Sequence, residues 1–254
     1  VNTIKAVFGY TFREHVRHKV WLSGALFGLI LLAGGLVVSA LAQDERARMM
    51  LDLGLAANEA IALVSVVFLT VHLILQEVES RTVFLILAHP VRRWHYLLGR
   101  FLGTLAAVVV GLAALGLAHW LLLAAFGWTG PGSYLLAWAC SLGKTAVMGA
   151  LALLLSLALT SEAAAMAFAM FFWILGHFSA ELHFIAGKSG NALLRAAILA
   201  FSQAAPDFAH LDYRDAFGAG LPGLGWMAAA AVYVLAYCGV CLALSVQVFE
   251  QKEF

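Results

Sequence analysis

Several residue groups in this sequence have the types that chemistry requires. Gly143-Lys144-Thr145 has the ending of a phosphate-binding loop. In such a loop backbone N–H groups cradle phosphates and the lysine meets the terminal ones. The first glycine of G-x-x-x-x-G-K-[ST] would stand at 138, but that residue is Trp138, and the segment lies inside an apolar run. Lys144 is therefore no nucleotide ligand. A charge near the middle of a bilayer costs at least about 2.5–3.5 kcal/mol and so faces protein or a wet cavity. Two roles fit it: a residue of a transport path or helix interface, or an internally paired structural ion.

Cys238-Gly239-Val240-Cys241 has the C-x-x-C spacing of redox motifs. It sits in an apolar helix without a thioredoxin-like context, so it reads as two small packing residues. His177 and Glu181 are four apart, which on a continuous helix puts them on one face and permits shared metal ligation. Asp207, His210, Asp212 and Asp215 follow. Histidines and carboxylates without cysteine or methionine clusters are poor copper ligands, and no metal site is expected. His72 and His119 lie in apolar stretches, where single histidines bond a neighbour more often than they relay protons. No catalytic group emerges.

The elements that position these residues follow from composition. Of 254 residues, 63% are hydrophobic and 11% charged, against about 45–50% and about 25% in soluble domains. With a mean hydropathy of +0.93, much of this chain has lipid for solvent. Net charge, at +1, selects no partner, and nothing points to nucleic acid. Three cysteines in apolar stretches exclude a disulfide scaffold. Six apolar stretches of 21 to 27 residues, 20–42, 55–75, 101–126, 134–160, 163–185 and 224–249, are each long enough to span. The expected fold is an all-α membrane protein with six transmembrane helices in one permease domain over 1–254. The longest segment between spans, 186–223, has 38 residues, too few for a soluble domain of usual size. Energy must then come from a gradient or from another polypeptide.

Lys and Arg are retained on the cytoplasmic side during insertion. Nine of them (Lys5, Arg13, Arg17, Lys19, Arg81, Arg92, Arg93, Arg100 and Lys252) fall on one side and five (Arg46, Arg48, Lys188, Arg195 and Arg214) on the other. Both termini are expected to be cytoplasmic. Span one, although it ends on Ala40, Leu41 and Ala42, a small-residue cleavage pattern, is longer than a signal core of about 7–15 residues and reads as an uncleaved anchor. Within 1–19, Ile4, Val7, Phe8, Phe12 and Val16 recur at helical spacing beside Lys5, Arg13 and Arg17, the pattern of an interfacial helix on anionic lipid. In the external loop 186–223, Leu193, Leu194, Ala197, Ile198 and Phe201 form a second amphipathic segment.

Between spans two and three, 76–100 reads QEVESRTVFLILAHPVRRWHYLLGR. Its apolar centre is too short to cross, and Pro90 breaks the helix after it. Two uses fit equally: a docking surface for another protein, or a cover for helix ends with Arg92, Arg93 and Arg100 as snorkelling anchors.

Glu77, Glu79, Arg81 and Thr82, then Leu87, Pro90, Arg93, Tyr96, Leu98, Gly99, Arg100, Phe101, Leu102 and Gly103, resemble the pattern E-x-E-x-R-T, L-x-x-P-V-x-R, Y-x-L-G-K-F-L-G. That pattern belongs to type-two ABC exporter permeases, and the subgroup it resembles is the NosY-like one, described as the permease of a multicopper-enzyme maturation system. The likeness extends to Thr11-Phe12-Arg13-Glu14 with Arg17, to Asp52-Leu53-Gly54-Leu55-Ala56, and to the six-span layout. It is densest in the first 105 residues. Arg100 stands where a lysine is common.

The resemblance implies a permease subunit of an ATP-driven exporter in the bacterial inner membrane. ATP and Mg would be bound by a separate cytoplasmic ABC ATPase, present in two copies, and no cofactor by this chain. The segment from Glu77 to Trp94 would be a coupling helix, with Thr160, Ser161 and Glu162 as a second ATPase contact. Glu77, Glu79, Arg81, Thr82, Pro90, Arg93, Ser161 and Glu162 are then the coupling residues. The permease would pair with a second copy or a close paralogue, in membrane lipid, and an external accessory protein would be compatible with it. Gly24 and Gly28, and Gly99 and Gly103, have spacings that allow close helix approach between such copies. Two other classes stay open. A gradient-driven transporter or channel is disfavoured because none of the four prolines lies within an expected span; a membrane scaffold that recruits a partner is the other.

Overall fold

The structure, a computed structural model, describes residues 2–17, 26, 28–30, 33–37, 46–80, 92–128, 130–213 and 221–251. Most of the expected first span, with Gly24, lies outside them, as do Arg81, Thr82 and Pro90 of the coupling segment and Arg214 and Asp215 of the loop. Among the described residues every regular element is helical: α1 (Asn2–Arg17), α2 (Arg46–Glu79), α3 (Arg93–Ala125), α4 (Pro131–Ala158), α5 (Glu162–His177), α6 (Ser179–Lys188), α7 (Ala192–Ala204) and α8 (Leu224–Gln251), with a 3₁₀ turn at Phe208–Leu211. Residues 28–30 and 33–37 of the expected first span are also helical.

Local chemistry sets several of these boundaries. Gly127, at φ 82°, follows the end of α3, a left-handed conformation that ends helices and suits glycine. Pro131 opens α4 where no N–H is needed. Ser161 caps α5 by accepting the Ala164 N–H at 3.4 Å, and Asn191 caps α7 by accepting the Leu193 N–H at 3.0 Å.

Helices α2, α3, α4 and α8 are each long and apolar enough to cross a membrane. At 1.5 Å per residue α2 runs about 50 Å, beyond the roughly 30 Å hydrocarbon layer. The expected straight span over 163–185 is not one helix. It breaks at Phe178, and α6 leaves α5 at 74°. Gly176 explains the break: a Cβ there would lie 2.5 Å from Pro206 O and 2.7 Å from the Phe208 ring. The 3₁₀ turn thus wedges against the end of α5, and Asp207 holds the wedge by accepting from Ser179 Oγ at 2.7 Å and from the Ala209 N–H at 3.0 Å. The amphipathic segment of the loop is α7, which packs on α6 with Leu193 and Phe201 exposed.

The core is built on α2 and α4. Ala62, Val66 and Leu69 meet Val108 and Leu112 of α3 and Val147, Met148 and Leu151 of α4. A second cluster joins Met50, Leu51 and Leu55 to Leu123 and Tyr134 at the other end of α2. In the single chain α8 buries little: Leu224, Val232, Leu235 and Val240 all stand exposed.

Helix α1 departs from a purely interfacial helix. Its enclosed residues are Thr11 and His15, packed on α3, while Phe8 and Val16 of the apolar stripe stay exposed. The approach is close because α3 offers glycine. A Cβ on Gly99 would lie 2.8 Å from Val7 Cβ, and one on Gly103 would lie 2.6 Å from Thr11 Cβ and 3.0 Å from Phe8 O. The Gly99/Gly103 pair, expected to serve contacts between copies, is therefore occupied within the chain, and Gly28 likewise abuts Leu115 and Ile61.

Gly54 faces the imidazole of His119 so closely that a Cβ would lie 2.0 Å from Nε2. Gly54→Ala should destabilise the protein by about 1–3 kcal/mol through overpacking. Gly239→Ala, where nothing lies within 4 Å of the new Cβ, should leave the midpoint unchanged or raise it. Thermal unfolding of both variants in detergent checks the contrast.

Candidate functional site

The densest polar cluster joins the end of α2, the start of α3 and α1. Arg100, 2% exposed, sends Nη1 to Glu14 Oε2 and to Thr11 Oγ1, both at 3.0 Å, and Nη2 to Glu77 Oε1. Glu77 Oε2 accepts the Tyr96 hydroxyl. The guanidinium also lies over the rings of Tyr10, at 5.1 Å, and Tyr96, at 5.6 Å. One turn on, His15 Nε2 and Thr104 Oγ1 are 2.9 Å apart. A planar fork with fixed donors can bind two carboxylates from different helices at once, which a lysine could not do with the same geometry. A cavity of about 520 Å³ opens beside the cluster, lined by Tyr10, Glu14, Gln76, Glu77 and Ser80, where the chain leaves α2.

The other expected coupling residues surround this cluster or tie back to α2. Glu79 is exposed at the last residue of α2. Arg93 donates from Nη1 to Phe249 O at 2.7 Å and lies 5.7 Å from that ring, joining the start of α3 to the end of α8. Ser161 is an exposed cap. Glu162 Oε1 is 3.0 Å from His72 Nδ1, and the His72 ring stacks on Phe68 at 5.4 Å. Of the two expected contact regions, Glu77 and Glu79 belong to the end of α2 itself and Glu162 is tied to α2 through His72, while residues 81–91 lie outside the described ones. Sequence reasoning missed Arg100 and Tyr96 as partners of Glu77, Glu14 as the second carboxylate on Arg100, and His72 as the partner of Glu162. Carboxylates at helix ends opposite an unexplained arginine and histidine were the available signal.

A second cluster lies deep in the bundle. Lys144 Nζ is 3.2 Å from Glu59 Oε1 and 3.4 Å from His177 Nε2, and Glu59 Oε1 is 3.3 Å from the same nitrogen. Lys144 and Glu59 are almost fully enclosed, and the Phe208 ring lies 5.9 Å from the ammonium. The pairing of Lys144 is internal to the chain. His119, on the side nearer the start of α2, has Nε2 3.1 Å from Met50 O and Nδ1 3.1 Å from the Tyr134 hydroxyl, which donates to Gly116 O at 2.8 Å. Because a carbonyl only accepts, Nε2 of His119 carries the hydrogen.

His177 and Glu181 do not share a helix face, because the chain bends between them. Among the described residues no three histidine, cysteine or acidic groups are placed to hold a metal. Cys238 and Cys241 are buried, unbridged thiols.

Residues 12–254 match the family model described as ABC-2 family transporter protein. The chain belongs to the ABC-2 transporter family. No curated protein matches the chain. Membership makes this ABC-2 protein a membrane component of a transporter and implies an ABC ATPase partner. Its several long apolar helices agree with a multi-pass membrane protein.

Breaking the Glu59–Lys144 pair should test its weight in the ABC-2 bundle. Lys144→Met leaves a buried carboxylate short of its ammonium and should cost about 3–5 kcal/mol, whereas Glu59→Leu with Lys144→Met should recover much of that loss. Chemical unfolding of the wild type, both single variants and the double variant gives the coupling energy.

Proposed function

We propose that this chain is the permease subunit of an ATP-driven exporter, most similar to the NosY-like subgroup. Two copies, or one copy with a close paralogue, pair in the membrane and dock onto two cytoplasmic ABC ATPase subunits that bind ATP and Mg. The observation that carries the reading is that the described residues of both expected contact regions meet the same half of α2, Glu77 and Glu79 as part of its last turn and Glu162 through His72. Two surfaces pressed by one ATPase would then act on one rod.

In this reading Glu77 and Arg93 fix the two ends of the coupling segment, Glu79, Arg81 and Thr82 face the ATPase cleft, and Pro90 sets the angle into α3. Ser161 and Glu162 form the second contact. Lys144 belongs to the intramembrane machinery and binds no nucleotide. Both termini lie in the cytoplasm, which puts α1, with Lys5, Arg13 and Arg17, against anionic lipid at the inner surface. The apolar faces of α8 and α3 meet lipid or the second permease copy. The external segment α6–α7 lies on the opposite side of the membrane.

The test is the ATPase itself. A soluble ABC ATPase should co-purify with the full chain and hydrolyse ATP faster when bound. Glu79→Lys, at an exposed residue, and Arg81→Glu should lower that stimulation about fivefold or more, the lower range of coupling energies, with membrane insertion intact. Glu77→Lys should lower it and also loosen α1. Unchanged stimulation in the first two variants would contradict the coupling role, and absence of any ATPase partner would contradict the exporter.

A further inference from the structure

The three atoms at the heart of the deep cluster form a nearly equilateral triangle. Its edges are Nζ of Lys144 to Oε1 of Glu59 at 3.2 Å, Nζ to Nε2 of His177 at 3.4 Å, and Nε2 to Oε1 at 3.3 Å. Hydrogen placement on these edges follows from chemistry. Nδ1 of His177 is 3.0 Å from Trp173 O, and a carbonyl only accepts, so Nδ1 carries the hydrogen. In the neutral ring Nε2 is then a bare lone pair. Lys144 can donate along two edges, to the carboxylate and to Nε2. The third edge, from Nε2 to the carboxylate, holds two acceptors at hydrogen-bond distance with no hydrogen between them.

We propose that Glu59, Lys144 and His177 form a proton-binding site at the break of the fifth span, in which Nε2 of His177 takes the proton and turns from acceptor of Lys144 into donor to Glu59. The proton fills the vacant edge. It also ends the Lys144–His177 bond, because two N–H groups then face each other and two cations share one carboxylate. The site goes from neutral to a net charge of +1, and α4 loses its polar tie to the end of α5.

Position makes this consequential. His177 is the last residue of α5, where the chain turns by 74°. It is also the accessible member of the triangle, with its side chain 28% exposed against 5% for Lys144 and 6% for Glu59. Trp173 and Phe208 flank its ring at 4.7 and 5.0 Å. Other titratable groups on the packed elements include His72 on α2, Glu162 at the far end of α5, Tyr134 and Cys140 on α4, Glu181, His183 and Lys188 on α6, Asp207, His210 and Asp212 in the following loop, and Tyr233, Tyr237, Cys238 and Cys241 on α8. Asp207 is engaged by Ser179, by the Ala209 N–H and by His210 at 3.3 Å. Among the described residues only Glu59 and Lys144 bring charge to within bonding distance of His177. The reading is independent of which substrate or ATPase the protein serves.

Histidine ¹⁵N spectra of the full chain in lipid nanodiscs test the proposal directly. The signal of His177 is assigned by its loss in His177→Gln, among nine histidines. At pH 8.5 the ring should be the Nδ1–H tautomer with Nε2 bare, and by pH 5 both nitrogens should carry hydrogen. Lys144→Gln and Glu59→Gln should move that transition in opposite directions, to higher and to lower pH, because each removes a charge in contact with the ring. An Nε2–H tautomer at pH 8.5, or an Nε2 still bare at pH 5, would overturn the proposal in the wild type alone. A transition that both folded variants leave in place would overturn the triangle as its cause.

Discussion

Hydrocarbon offers no partner to a charge, so each ionisable group inside the bundle must find one in the protein. Here those partners converge on a single helix. Along α2, Glu59 takes Lys144 of α4 and faces His177 of α5, His72 meets Glu162 at the start of α5, and Glu77 takes Arg100 and Tyr96 of α3. Arg100 then passes the tie to Glu14 of α1. Apolar packing against lipid tails distinguishes poorly between neighbouring helices, whereas a buried pair fixes both partner and register. The buried pairs Glu59–Lys144 and Glu77–Arg100 therefore specify which helices surround α2 and at what height.

The same arrangement explains why α1 and α5 are not simple spans or surface helices. Arg100 needs a second carboxylate, and Glu14 can supply it only if α1 comes close, which Gly99 and Gly103 permit. At the other cluster α5 stops beside Lys144, and the carbonyl end of a helix favours a nearby cation. The Phe208 wedge and its Asp207 brace then turn the chain away.

Hydropathy made α2, α3, α4 and α8 legible, because each is a long uninterrupted apolar run with its charges near the ends. It could not reveal the bend at Phe178. The run from Ala163 to Ile185 stays apolar across the break and contains no proline, and the cause is tertiary contact with Pro206 and Phe208. Lys144 stood out as a lone deep charge, but its partner did not, because Glu59 falls near one end of the expected span 55–75 while Lys144 lies well inside 134–160. Only in the full helices α2 and α4 do both lie at the same depth, about 13 residues or roughly 20 Å from the helix start. The burial of Thr11 and His15 was not legible in α1, because the apolar stripe beside them dominates its amphipathic pattern.

If α2 is the element that transmits, a nucleotide-driven change at one end must be felt at the other. Glu77 and Glu59 are separated by about 27 Å of continuous helix. Hydrogen–deuterium exchange on the nanodisc complex of this chain with its ATPase, with and without a non-hydrolysable nucleotide, reads both ends at once. Transmission along α2 predicts altered protection in α1 and residues 72–80 together with altered protection around Trp173 to Glu181. Changes confined to the ATPase-facing end, with the deep cluster unmoved, would contradict it.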